Sequence, residues 1–211
     1  MKKLKKILVI FLITIILTPM IVSSKENKKV CETPEKSIEI FLDVVLKDKK
    51  DEMSKIGITE EDYEQIKEEL KSELTEDANS IFSINKDVIT EEIVSLLNKS
   101  IISGISKVDY EANQISQTKS KAEVELSIRG LDLKEIIQKT EDEFIQSQSK
   151  KSSTLSQSEM TQEIFKIWAK YLEEGIIVDN PTLIKVTLTR NGDYWFVDEK
   201  EMEKVGETLF S

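Results

Sequence analysis

The run from Thr182 to Asp198, TLIKVTLTRNGDYWFVD, constrains this chain more than any other stretch. Two β-rich segments flank Asn191-Gly192, and a type I′ turn needs positive φ at both central residues, which asparagine and glycine tolerate best. Such a turn fixes the register. It predicts Arg190 opposite Asp193, Leu188 opposite Trp195, Val186 opposite Val197 and Lys185 opposite Asp198. Ile184, Val186, Leu188, Trp195 and Val197 then share one apolar face, and two opposite-charge pairs bracket the hairpin.

The rest of the chain supplies what this hairpin packs on. Thr33-Pro34 opens a helix, with threonine as cap and proline at the first helical position, and Ile38, Phe41, Leu42 and Val45 form its apolar stripe. Met53 to Gly57 forms a further short helical turn. Thr59 begins a second helix, with Glu60, Glu61 and Asp62 at its positive end and Tyr63, Ile66, Leu70, Leu74, Ala78 and Ile81 along one face. A third starts by Thr90 and buries Ile93, Leu97, Ile101, Ile105 and Val108. The period then becomes two. A strand to about Ile115, a turn over residues 116–120 and the alternating Ala122, Val124, Leu126 and Ile128 make another hairpin.

Gly130 ends that hairpin, and Asp132 caps a helix carrying Leu133, Ile136, Ile137, Phe144 and Ile145. Residues 146–158 read QSQSKKSSTLSQS; one leucine among them offsets little of the entropy of ordering, so a mobile loop is expected. A helix from about Glu159 carries Met160, Ile164, Ile167, Trp168 and Tyr171 and ends at Gly175. Met202, Val205 and Leu209 mark a short amphipathic tail. Helices first and then two hairpins with helices between them predict an α+β domain over 33–211, its helices packed on an antiparallel sheet of about four strands.

The N-terminus predicts export. Lys2, Lys3, Lys5 and Lys6 precede an apolar run, Ile7 to Leu17, followed by small residues, and cleavage after Ser24 fits a signal peptide over residues 1–24. The alternative is an uncleaved anchor, although Ile7 to Val22 spans only ~24 Å as a helix against a ~30 Å hydrocarbon core. In both cases the membrane is met only through this segment, and residues 25–32 are a polar tether. Removing residues 1–24 takes four of the 30 basic residues and none of the 40 acidic ones, leaving 26 − 40 = −14. That balance repels nucleic acid and anionic lipid surfaces. The single cysteine, Cys31, cannot form an internal bridge. Lys28-Lys29-Val30 before it is not the small-residue context of a lipid-anchored cysteine, so it is read as a free thiol able to link two chains.

Catalytic signatures are missing. The chain has no histidine, no glycine-rich phosphate loop and no GxSxG run. Glu60-Glu61-Asp62 and Glu141-Asp142-Glu143 are adjacent in sequence on predicted helices, which points their side chains in different directions and matches no calcium loop. No cofactor or metal is expected, and neither is enzyme activity. The candidate contact surface is the second face of the last hairpin, Tyr194 and Phe196 with Thr187 and Thr189 across from them.

Two motifs, TPEKSIEIFLDVVLKDKK at the first helix and NGDYWFVDE in the last hairpin, resemble a group of exported proteins of uncharacterised function, often lipoproteins, from Gram-positive bacteria. The resemblance implies a nuclear transport factor 2-like domain, a curved sheet wrapped around helices to form a cone. That fold hosts enzymes, carriers and interaction modules alike, so it bears on architecture more than on activity. The expectation is an extracytoplasmic domain that binds a small ligand or a partner protein in the cell envelope. The alternatives are an assembly module, including a homodimer, and a histidine-free hydrolase using two carboxylates.

Protein extracted from its own envelope should give a mass starting at Lys25. A chain starting at a diacylated Cys31 would overturn this reading of the leader.

Overall fold

A computed structural model describes residues 32–68, 90–149, 155–197 and 199–210. Its element order is α1 (Pro34–Lys47), a 3₁₀ turn (Met53–Ile56), α2 (described over 60–68), α3 (Glu91–Ile105), β1 (Asp109–Gln117), β2 (Lys121–Arg129), α4 (Leu133–Ser149), α5 (Gln157–Glu174), β3 (Thr182–Asn191), β4 (Tyr194–Val197) and α6 (Glu199–Leu209). The fold is α+β, with an open antiparallel sheet in the order β1-β2-β3-β4. The expected leader, Cys31, Leu70 to Ile81 and Asp198 lie outside the described residues.

α1 occupies the centre. Pro34, Ser37, Ile38, Ile40, Leu42, Val44, Val45 and Leu46 are all buried, which is wider than the stripe of a surface helix and marks an element enclosed on most sides. Lys36, Glu39, Asp43 and Lys47 form a polar, half-buried row along the helix. α1 touches both edge strands, β1 and β4, as well as β2 and α3. The helix therefore reaches the sheet from one edge to the other. The inner face of the sheet carries Ala112, Ala122, Val124, Leu126, Ile128, Val186, Leu188 and Trp195, all buried in one core with α1 and with Met202, Val205, Leu209 and Phe210 of the C-terminal segment.

The helix starts follow local chemistry. Thr90 accepts from the Ile93 N–H, Asp132 from the Glu135 N–H, and Ser156 forms a reciprocal capping box with Glu159. Thr33 does not cap with its side chain; only its carbonyl engages the helix, accepting from the Ser37 N–H at 2.8 Å. The expected loop over 146–158 is helical at its two ends, over residues 146–149 and 157–158, and residues 150–154 lie outside the described residues. α4 runs to Ser149 and α5 starts at Gln157, because Ser147 and Gln148 donate across the helix pair to Glu163 at 2.7 and 3.2 Å. Polar side chains hold these ends together in place of apolar burial. The apolar stripes are narrower than their spacing predicts: Ile145 is 65% exposed and Ile164 38%, while α5 buries Ile167, Ala169 and Leu172.

The last hairpin turns one residue later than expected. Gly192 and Asp193 are the central residues, with Asn191 paired to Tyr194, Arg190 to Trp195, Thr189 to Phe196 and Leu188 to Val197. Gly192 has φ +62°, whereas Asn191 and Asp193 keep negative φ. Glycine first with positive φ is the type II′ pattern, which leaves Asn191 in the strand. The shift moves every pairing by two residues, so it preserves the faces, because side chains alternate with period two. Arg190 now lies over the Trp195 ring at 5.8 Å, and Lys185 pairs with Glu125 of β2.

Small residues set the closest approaches. A Cβ added at Gly104 of α3 would lie 2.4 Å from the Leu172 carbonyl oxygen of α5, so these two helices meet backbone to backbone. Gly104→Ala should destabilise the protein by about 1–3 kcal/mol in urea unfolding, as overpacking does. Gly192→Ala, where nothing lies within 4 Å of the new atom, should cost only the roughly 1 kcal/mol of a left-handed backbone. The reverse order would refute this account of the helix crossing.

Candidate functional site

The four side chains singled out in the sequence come from β3 and β4. Strand alternation places Thr187, Thr189, Tyr194 and Phe196 on the outer face of the sheet, opposite the core, and all four are half-buried. Thr189 pairs directly with Phe196, and Thr187 pairs with Glu123 of β2. These three form a contiguous patch. Tyr194, at the turn end, is drawn to a different task. A Cβ on Gly57 would lie 2.9 Å from its ring, so the ring packs over the residue that ends the 3₁₀ turn and ties that segment to β4.

The same outer face carries Asp109, Glu111, Glu123, Glu125, Arg129, Leu183 and Lys185 by alternation. The helices that reach the sheet, α1 and α6, bring their apolar residues to its inner side. Leu183 is 60% exposed, an unusual level for a large aliphatic side chain in a strand. The face is thus acidic toward β1 and β2 and apolar with hydroxyls toward β3 and β4.

Sequence reasoning missed a second polar arrangement, along the strip where α1 meets β1 and α2. Glu39 accepts from the Ala112 N–H at 3.2 Å, the Tyr110 hydroxyl donates to Asp43 at 2.6 Å, and Lys47 lies 4.2 Å over the Tyr110 ring. Burial, together with the Asp43 carboxylate, pushes the Tyr110 hydroxyl well above the ordinary tyrosine range. Burial alone would raise Asp43, but donation from Tyr110 and Lys49 and the charges of Lys49 and Lys47 outweigh it and hold the carboxyl below its usual value. At the end of α1, Asp48 sits in the left-handed region at φ +58° and takes Lys67 at 2.7 Å and the Tyr63 hydroxyl. These two donors lower Asp48, and burial with Asp48 raises Tyr63 to about 12. The signal in the sequence was Glu39, Asp43 and Lys47 at four-residue spacing on an otherwise apolar helix.

The acidic clusters resolve into structural roles. Asp62 accepts from the Thr59 N–H at 2.8 Å at the start of α2, Glu60 pairs with Lys50 at 2.8 Å, and Glu143 joins α4 to α5 by accepting from Lys170 and Tyr171, each at 2.6 Å. Trp168 packs beside Phe165 with ring centroids 6.3 Å apart, against the core. Among the described residues no three His, Cys, Asp or Glu side chains converge as metal ligands, and no helix is long and apolar enough to cross a membrane.

A depressed carboxyl stabilises the fold above its unfolded value and loses that contribution as pH falls through its folded value. Stability held by Asp43 should therefore be intact at neutral pH and drain away below about pH 3.8, the ordinary value. Tyr110→Phe should cost about 1 kcal/mol at pH 7 and shrink the further loss on acidification. Denaturant melts at pH 7 and pH 3 read both, and an unchanged acid loss would refute the coupling.

Comparison with known proteins agrees with the fold. The crystal structure of a predicted lipoprotein (ycdA) from Bacillus subtilis superposes with a TM-score of 0.65 at 17% sequence identity, over 84% of this chain and 56% of that one. The chain thus spans just over half the length of that structure, and at this identity the likeness concerns the fold alone. Comparison with curated protein sequences gave no match. Residues 24–210 match the family described as "Domain of unknown function (DUF5105)", and the chain belongs to that family.

Proposed function

We propose that this chain is an exported, non-enzymatic domain of the cell envelope that binds a partner protein through the outer face of its sheet. The observation that carries the reading is the patch of Phe196, Thr189 and Thr187 with the exposed Leu183 along the same face. An aromatic ring flanked by short hydroxyl side chains offers apolar area and hydrogen bonds at low entropic cost. Because the patch lies on an open face and not within the core, it suits a macromolecular surface better than an enclosed small ligand. Export rests on the basic and apolar leader, and the lipoprotein naming of the Bacillus subtilis neighbour is in keeping with it. A nuclear transport factor 2-like cone is the geometry proposed for the domain, supported by the contact of both edge strands with α1.

A non-enzymatic role is supported by a chain without histidine, whose densest carboxylate clusters are spent on helix caps and ion pairs. An assembly module linked through Cys31 is the second reading, and its partner would be another copy of the chain.

Native mass spectrometry of protein purified gently from its envelope should show a complex that disappears on denaturation. Phe196→Ala should weaken it by about 2 kcal/mol, roughly 30-fold in Kd, as expected for a central aromatic contact. A complex indifferent to Phe196→Ala would remove this face from consideration, and a reductant-sensitive homodimer would favour the Cys31 reading.

A further inference from the structure

A partner on the outer face would also meet an open sheet edge. β3 is ten residues long and β4 four, and β4 pairs only with Leu188 to Asn191. The Arg190 N–H donates to the Ser120 carbonyl at 2.9 Å, on the β2 side. Backbone groups alternate along a strand, so even-numbered residues of β3 turn theirs toward β2 and odd-numbered ones turn theirs away. Thr189 and Asn191 accordingly meet Phe196 and Tyr194. Leu183 and Lys185, beyond the end of β4, each turn an N–H and a C=O toward a lane that no described strand occupies.

The two edges of the sheet are finished differently. On β1, Glu39 takes the outward Ala112 N–H, and a register shift between Gln114 and Ser116 breaks the row; both are devices that stop a strand from adding. On β3 the row is regular from Thr182 to Thr189. Leu183 is exposed beside it, and Lys185 is exposed with its nearest carboxylate, Glu123, at 4.0 Å.

We infer that the β3 edge at Leu183 and Lys185 is a strand-addition site, which takes an extended segment of a partner polypeptide; this rests on the partner-binding reading of the adjoining face. The main chain of the segment would pair with these two residues. Cross-strand neighbours share a face, so the segment carries an acidic side chain beside Lys185, an apolar one beside Leu183, and a second apolar one on the inner side next to the half-buried Ile184. A second copy of β3 suits the edge poorly. Antiparallel pairing of the outward-facing residues centred on Lys185 sets it against Lys185 of the partner subunit, and both copies carry net charge of the same sign.

The probe is an acetylated peptide, Thr-Val-Glu-Val-Leu-Thr, added at millimolar concentration to the isotope-labelled processed protein, with amide hydrogen exchange read residue by residue. In the free protein the amides of Leu183 and Lys185 should exchange freely while those of Ile184 and Val186 are protected. Saturating peptide should slow Leu183 and Lys185 on the order of tenfold. Lys185→Pro deletes only an outward N–H, a substitution edge strands accept, and should abolish the protection at Leu183. Should the proline variant unfold, Lys185→Glu carries the test, and it should weaken binding of this acidic peptide. Amides of Leu183 and Lys185 already protected in the free protein, or peptide that slows neither, would overturn the inference. Phe196→Ala should leave the peptide's main-chain pairing in place. An envelope complex broken by Phe196→Ala without any peptide protection would sink the edge inference alone. Normal protection with a complex insensitive to Phe196→Ala would sink the partner-face reading alone.

Discussion

The burial of α1 is the constraint on which the rest of this molecule depends. A helix with eight buried residues among fourteen needs apolar partners in several directions. Both edge strands of the sheet reach it, and α3 closes another side. Burying a large aliphatic side chain contributes roughly 1.5–3 kcal/mol, so Ile38, Leu42, Val44 and Val45 dominate the local balance. The polar row Glu39, Asp43 and Lys47 is fixed against β1 by hydrogen bonds and ring contacts.

From that constraint follows the asymmetry of the sheet. β1 lies where the polar row of α1 can reach it, so its outward amide at Ala112 is satisfied by Glu39. The last strand, β4, ends after four residues because the chain turns into α6, whose Met202, Val205 and Leu209, with the adjoining Phe210, complete the core beside β2 and β3. Closing the core with a helix stops the fourth strand early. The return of the C-terminus is firm: Leu131 donates to the Leu209 carbonyl at 2.8 Å, and a Cβ on Gly130 would meet the Thr208 carbonyl at 2.3 Å.

Much of this architecture was legible in the sequence because it rests on local periodicity. Ile93, Leu97, Ile101 and Ile105 sit at helical spacing and are buried; Ala122, Val124, Leu126 and Ile128 alternate and are buried. The hairpin faces came out correctly even though the turn moved by one residue, because a two-residue change in pairing leaves side-chain direction unchanged. What was not legible depends on contacts distant in sequence. Nothing local shows that Ser147 and Gln148 will find Glu163, so their segment looked like a loop. Tyr110 and Asp43 are 67 positions apart, and only the fold brings them together. For the candidate surface, sequence gave the face of Phe196, Thr187 and Thr189 but not the diversion of Tyr194 onto Gly57, which depends on where the 3₁₀ turn docks.

The same division explains why a family of unknown function shows its architecture more readily than its chemistry. Core positions carry a periodic signal, since each must be apolar and must recur with its element. A contact surface has no such period. Phe196 and Leu183 stand out only once the sheet's inner face is seen to be filled by α1 and the C-terminal segment, which leaves its outer face to solvent. An antiparallel sheet with one solvated face is ordinary in itself. An exposed leucine, a phenylalanine and a half-paired strand gathered on one side of that face are less so, because each adds apolar area or unpaired backbone that water alone must cover. Their coincidence on β3 and β4 is what supports the proposed contact surface there.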